Sequence, residues 1–152
     1  IRLSLVGSEM CIRDRCALIQ YPDIFCAASS SYGISDLKSL SQRTHKYELH
    51  YTTTLMGGTY EDLPGVYKAR SALHHADKIR TPLLLLQGDQ DRVVAPDQSR
   101  RMARAIESHA GKIKYIEFPS EGHGFRRSDT RQRALEEEFA WCNDAARIPE
   151  VC

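Results

Sequence analysis

Apolar residues recur with two different periods along this chain. Leu83, Leu84, Leu85 and Leu86 stand in one run, entered through Pro82 and closed by Gly88. A run of strand length that is apolar on both faces predicts a parallel strand covered by helices on each side. Pro96 then occupies a first-turn helix position ahead of DQSRRMARAIESHA, so a loop and a helix follow the strand. The segment Lys112 to Phe118 alternates instead. Ile113, Tyr115 and Glu117 face one way and Lys114, Ile116 and Phe118 the other, as in the outermost strand of a sheet.

The remaining elements are read in the same way. Ala17, Leu18 and Ile19 form the tail of a helix stopped before Pro22. Ile24 to Ser31, small and apolar, reads as a strand closed by Tyr32-Gly33. Asp36 caps a polar helical stretch that ends at the Gly57-Gly58 breaker. Its aromatics, Tyr47, Tyr51 and Tyr60, either cover a small helical excursion or line a pocket. A short helix starts near Val66. The last helix spans about Asp129 to Ala146, and Leu135 and Phe139, four residues apart, share a face expected to pack on the sheet. Strands alternating with helices predict an α/β fold.

The chain has 152 residues, 41% hydrophobic and 27% charged, which suits a single globular domain. Lys and Arg number 21 against 20 Asp and Glu, and no basic stripe appears, so nucleic acid is not an expected partner. No apolar run approaches membrane-spanning length, and no membrane partner is expected. The five cysteines (Cys11, Cys16, Cys26, Cys142, Cys152) show no Cys-x-x-Cys spacing. That argues against a zinc site and a disulfide framework, and sets a reducing, cytoplasmic compartment as the expectation.

Two residues carry candidate chemistry. Asp91 falls at the carboxyl end of the leucine strand, where parallel α/β folds place their active groups. His123 lies in EGHGF, a glycine-flanked loop after the next strand. A carboxylate and then a histidine on successive strand-end loops are the second and third members of the hydrolase order Ser…Asp…His. Other acidic and imidazole clusters read as structural. His74-His75 has no third ligand at helical or hairpin spacing. Asp89 beside Asp91 lacks the ligand pattern and closing Glu of a calcium loop.

The first fifteen residues have a separate origin on this reading. LVGSEMCIRDR, residues 5 to 15, resembles the one-frame translation of a transposon-end adapter used in sequencing libraries. Leu5 through Asp14 match codon by codon, and Arg15 is allowed by the last partial codon. Residues 1–15 are therefore set aside from fold reasoning, with the natural sequence resuming near Cys16. Without a natural segment there, the strand from Ile24 to Ser31 is expected to lose its neighbour and bare an apolar edge.

From Cys16 to about Asp144 the chain resembles the catalytic domain of the prolyl oligopeptidase family of serine peptidases, in its acylaminoacyl-peptidase and dipeptidyl-aminopeptidase-like branch. The carrying stretches are YPDIFCAASSSYGISDL, THKYE, RSALHHADKIRTPLLLLQGDQDRVVAPDQS and EFPSEGHGF. The resemblance implies a C-terminal fragment of an α/β-hydrolase fold over residues 16–152, with about three parallel strands and their flanking helices. It implies Asp91 as triad acid (Gly88, Asp91 and Val94 forming GxxDxxV) and His123 as triad base. It implies a peptide or acyl-peptide substrate and no cofactor. The family's serine sits in GxSxGG, a strand-to-helix elbow that falls at Ser8 here. Val6, Met10 and Cys11 stand where the family has glycine and would crowd that turn, so Ser8 is not nominated and the fragment is expected to be inactive. Two alternatives stay open: a carboxylesterase or dienelactone-hydrolase-like acyl hydrolase, and a non-catalytic α/β-hydrolase-like binding domain.

Overall fold

Four parallel strands lie side by side in chain order in the computed structural model, which describes residues 3–7, 11–43 and 52–146. They are β1 (Leu3–Gly7), β2 (Phe25–Ser31), β3 (Leu83–Gly88) and β4 (Ile113–Phe118). Helix α1 (Cys11–Gln20) joins β1 to β2, and α5 (Asp97–Ser108) joins β3 to β4. Between β2 and β3 come α2 (Leu37–Arg43), α3 (52–56), α4 (Pro64–Arg70) and a 3-10 segment, Ala72–Lys78. Helix α6 (Ser128–Ala146) closes the described part.

Strand β3 is the centre of this arrangement. Its residues Leu83 to Leu86 pair with β2 on one side and β4 on the other, and all four side chains are fully buried. Leu83 and Leu85 join Leu18, Ala28, Met102 and Ile106 beneath α1 and α5. Leu84 and Leu86 join Ile116, Phe118 and Ala134 beneath α6. Each buried leucine contributes roughly 1.5–3 kcal/mol, so the two-faced run selects a position with cover on both sides. The alternation of β4 is also met, with Ile113 and Tyr115 against the first cluster and Ile116 and Phe118 in the second.

The three parallel strands expected within residues 16–152 are β2, β3 and β4. Two expectations need correction. First, β2 keeps a neighbour on its other edge, because Leu3–Gly7 pairs with it. Leu3–Gly7 is short and mostly apolar, and it occupies the edge of β2 that would otherwise be open. Arg15, the last residue of the adapter-like text, is buried on α1, where a Cβ on Gly33 would run into its guanidinium. Second, Leu135 and Phe139 do not pack on the sheet; they are 66% and 71% exposed. The buried face of α6 is turned about one residue away and holds Ala134, Glu138 and Trp141. Glu138 accepts the Ser29 hydroxyl at 2.7 Å, and Trp141 donates to the Pro82 carbonyl at 3.4 Å. These two polar anchors to the sheet set the helix's rotation.

The helical stretch expected after Asp36 is described at its two ends, as α2 and α3, and residues 44–51 between them lie outside the described residues. Asp36 Oδ1 accepts the Lys38 N–H at the start of α2, and α3 ends at Gly57, whose positive φ of 86° suits glycine. Tyr60 stacks edge-on against Tyr67 beside the satellite cluster Leu37, Leu40 and Met56, and also borders a cleft of about 380 Å³. Tyr47 and Tyr51 lie outside the described residues. Among the described residues no helix is long and apolar enough to cross a membrane.

Leu84→Ala is expected to cost about 2–5 kcal/mol in urea unfolding. Phe139→Ala should stay within about 0.5 kcal/mol of wild type. Equal losses from both would contradict this placement of α6.

Candidate active site

The loops leaving β3 and β4 bring Asp91 and His123 together. His123 Nδ1 lies 2.9 Å from Asp91 Oδ2. The Asp91 side chain has no solvent exposure, whereas that of His123 is 35% exposed. A carboxylate removed from water must be matched by hydrogen-bond donors, and Asp91 has them. Its Oδ1 accepts the backbone N–H groups of Val93 at 2.9 Å and Val94 at 2.8 Å. Its Oδ2 accepts Gln87 Nε2 at 3.0 Å as well as the imidazole. Burial by itself would raise the carboxyl's pKa; the bonds from His123, Val94 and Val93 more than offset it and hold Asp91 below its ordinary value. With Nδ1–H given to Asp91, the neutral ring carries its lone pair on Nε2, the form a general base needs.

Backbone contacts fix the separation between the two loops. Asp89 N–H donates to the Phe118 carbonyl and Gln90 N–H to the Glu121 carbonyl, at 3.0 and 2.9 Å. Asp89 Oδ1 accepts the Ser120 N–H at 2.7 Å, so this acid is used up in holding the loops. A Cβ on Gly88 would overlap the carbonyl oxygens of Glu121 and Gly122, the latter at 2.6 Å. Glycine is required here for close approach. The histidine loop is shaped from below by Glu121, which is buried and accepts the N–H groups of Arg126 and Arg127. Burial pushes its carboxyl up, and these bonds together with the Thr130 hydroxyl bring it below its ordinary value.

Tyr32 completes the surroundings from β2. Its backbone is left-handed at φ 55°, its ring centroid is 5.2 Å from that of His123, and its hydroxyl accepts the Phe125 N–H at 3.0 Å. Burial raises its phenol. Sequence reading singled out Asp91 and His123 but passed over Gln87, Glu121 and Tyr32. Gln87 did carry a signal: it is the one amide in an otherwise apolar, two-faced strand. Of the remaining candidates, His75 Nε2 meets the Ala69 carbonyl at 3.1 Å and His74 borders the 380 Å³ cleft. Ser8 lies outside the described residues, between the end of β1 and the start of α1.

Comparison with known proteins gives this geometry a context. The model of the prolyl oligopeptidase family matches residues 15–148. A solved puromycin-hydrolysing peptidase of Mycobacterium tuberculosis is 40% identical and superposes with a TM-score of 0.86 over 97% of this chain and 22% of its own. Dipeptidyl aminopeptidase BIII of Pseudoxanthomonas mexicana is 31% identical over 115 residues, 73% of this chain and 17% of that protein. Esterase LipQ of Mycobacterium tuberculosis is 30% identical over 101 residues, 65% of this chain and 24% of the esterase. The chain thus spans less than a quarter of the length of each of these three proteins.

A lowered Asp91 pKa makes the folded state bind fewer protons than the unfolded one near and below pH 3.8. Its contribution to stability is whole above that pH and is lost as pH falls through the folded value. Urea midpoints measured from pH 6 down to about 2 are expected to fall less steeply in Asp91→Asn than in wild type. Parallel curves would mean that Asp91 is not held ionised by its neighbours.

Proposed function

The chain belongs to the prolyl oligopeptidase family, and from that premise we propose that Asp91 and His123 are the acid and base of a serine-type peptidase. The observation that carries the reading is the 2.9 Å contact between His123 Nδ1 and a buried Asp91 carboxylate fixed by three other N–H donors. In the intact enzyme His123 Nε2 takes the proton of a serine hydroxyl as its oxygen attacks the substrate carbonyl. The imidazolium then returns that proton to the leaving amine. Asp91 remains ionised throughout, holding the tautomer and offsetting the imidazolium charge. The substrate is a peptide or acyl-peptide, and a reducing cytoplasm is the setting proposed for it.

We further propose that the 152-residue chain lacks the nucleophile and is itself inactive. The family match begins at residue 15, where the adapter-like text ends, which supports a foreign origin for residues 5–15. Ester hydrolysis is a second reading, favoured by the likeness to LipQ over 101 residues. The same acid and base would serve it, with an alcohol in place of the amine as leaving group.

A long read of the source DNA upstream of the codon for Cys16 is expected to show GxSxGG leading into CALIQYPDIF. The protein recovered from that locus should cleave dipeptidyl or acyl-peptidyl arylamides faster than the matching esters of simple acids. Asp91→Asn in it should lower kcat by about 10⁴. The 152-residue chain should take no label from a fluorophosphonate. A genome that encodes LVGSEMCIRDR, a label on Ser8, or full activity in His123→Ala would each overturn the reading.

A further inference from the structure

We propose that Gln87 is a positioning residue that shares the Asp91 charge with His123 and so keeps the imidazole neutral and ready to accept a proton. This rests on the acid–base reading of Asp91 and His123 given above. Gln87 is the penultimate residue of β3 and is wholly buried. Its Nε2 donates to Asp91 Oδ2 at 3.0 Å and to the Val94 carbonyl at 3.2 Å. Its Oε1 accepts the hydroxyl of Ser99, buried in the first turn of α5, at 2.9 Å. The amide has one workable orientation, since a flipped one would set its oxygen against a carboxylate and a carbonyl. A hydrogen-bonded chain therefore runs from α5 through Ser99, Gln87 and Asp91 to the His123 ring.

The chemistry explains why such a chain is useful. A buried carboxylate beside an imidazole favours the imidazolium strongly. A histidine that is already protonated cannot take a proton from a nucleophile, and general bases work best when their pKa lies near the working pH. Gln87 places the positive end of an N–H dipole on the same oxygen that His123 uses. That donor disperses the carboxylate's charge and opposes a second positive charge on the ring. Val93 and Val94 hold the other oxygen, so the carboxylate keeps its place while its pull on the ring is moderated. The ring packs against Tyr32, just beyond the end of β2, and Tyr32 in turn feels the charges of Glu121 on the histidine's own loop and of Glu138 on α6. All three are untouched in the variants below.

The test is an NMR titration of the His123 ring in the full 152-residue chain, which needs no activity. Gln87→Met keeps the side chain's length and removes the donor; it is expected to raise the His123 midpoint by about half a pH unit. Ser99→Ala leaves Gln87 in place but releases its oxygen, and a smaller rise in the same direction is expected. It also answers the question if the methionine variant fails to fold. Asp91→Asn is the control and should lower the midpoint by about one pH unit or more. If Asp91→Asn lowers it while the Gln87 and Ser99 variants leave it unmoved or lowered, the Gln87 proposal falls and the acid–base pair stands. If Asp91→Asn leaves it unmoved, the pair itself is wrong.

Discussion

Strand β3 can lie in only one way, and the site inherits its precision from that. The strand is paired along both edges and its leucines are covered on both faces, so neither register nor rotation is open to change. A slip of one residue would exchange the environments of Leu83 and Leu84 and carry Gly88 away from the Glu121 and Gly122 carbonyls it lies against. At that spot the loop after β3 touches the loop after β4 with no room for a side chain. The distance from Asp91 to His123 is thus fixed by packing and backbone contact before any side chain of the pair takes part.

The second requirement is electrostatic. A carboxylate with no exposed surface is unfavourable unless donors replace the water it has lost. Asp91 receives four, two on each oxygen. Three come from its own strand and loop, and with the imidazole they hold the carboxylate below its ordinary pKa despite its burial.

Much of this was legible in the sequence, for definable reasons. Four adjacent leucines and the alternation of KIKYIEF marked β3 and β4 because burial on two faces and on one face leave different patterns. Asp91 and His123 were legible because each stands in a short motif tied to backbone shape. Gln87, Glu121 and Tyr32 were missed because their roles depend on which groups lie opposite them across loops, and spacing along the chain does not encode that. The exposed pair Leu135 and Phe139 shows a related limit. Helical spacing said correctly that they share a face, but the rotation of α6 was decided by Glu138 and Trp141 reaching Ser29 and Pro82. Strand β1 shows a further limit: where a segment's codons come from does not decide whether its backbone pairs with an open strand edge.

Every polar partner of the Asp91 carboxylate falls between Gln87 and His123 in the chain. The carboxylate, its donors and the imidazole therefore come from one stretch of chain running from β3 through α5 to the loop after β4, while the cover over β3 comes from β2, α1 and α6. The wiring of the pair is thus local in sequence and its foundation is not, so the two can be disturbed separately: a change in α6 loosens the strand while every donor to the carboxylate stays in place along the chain.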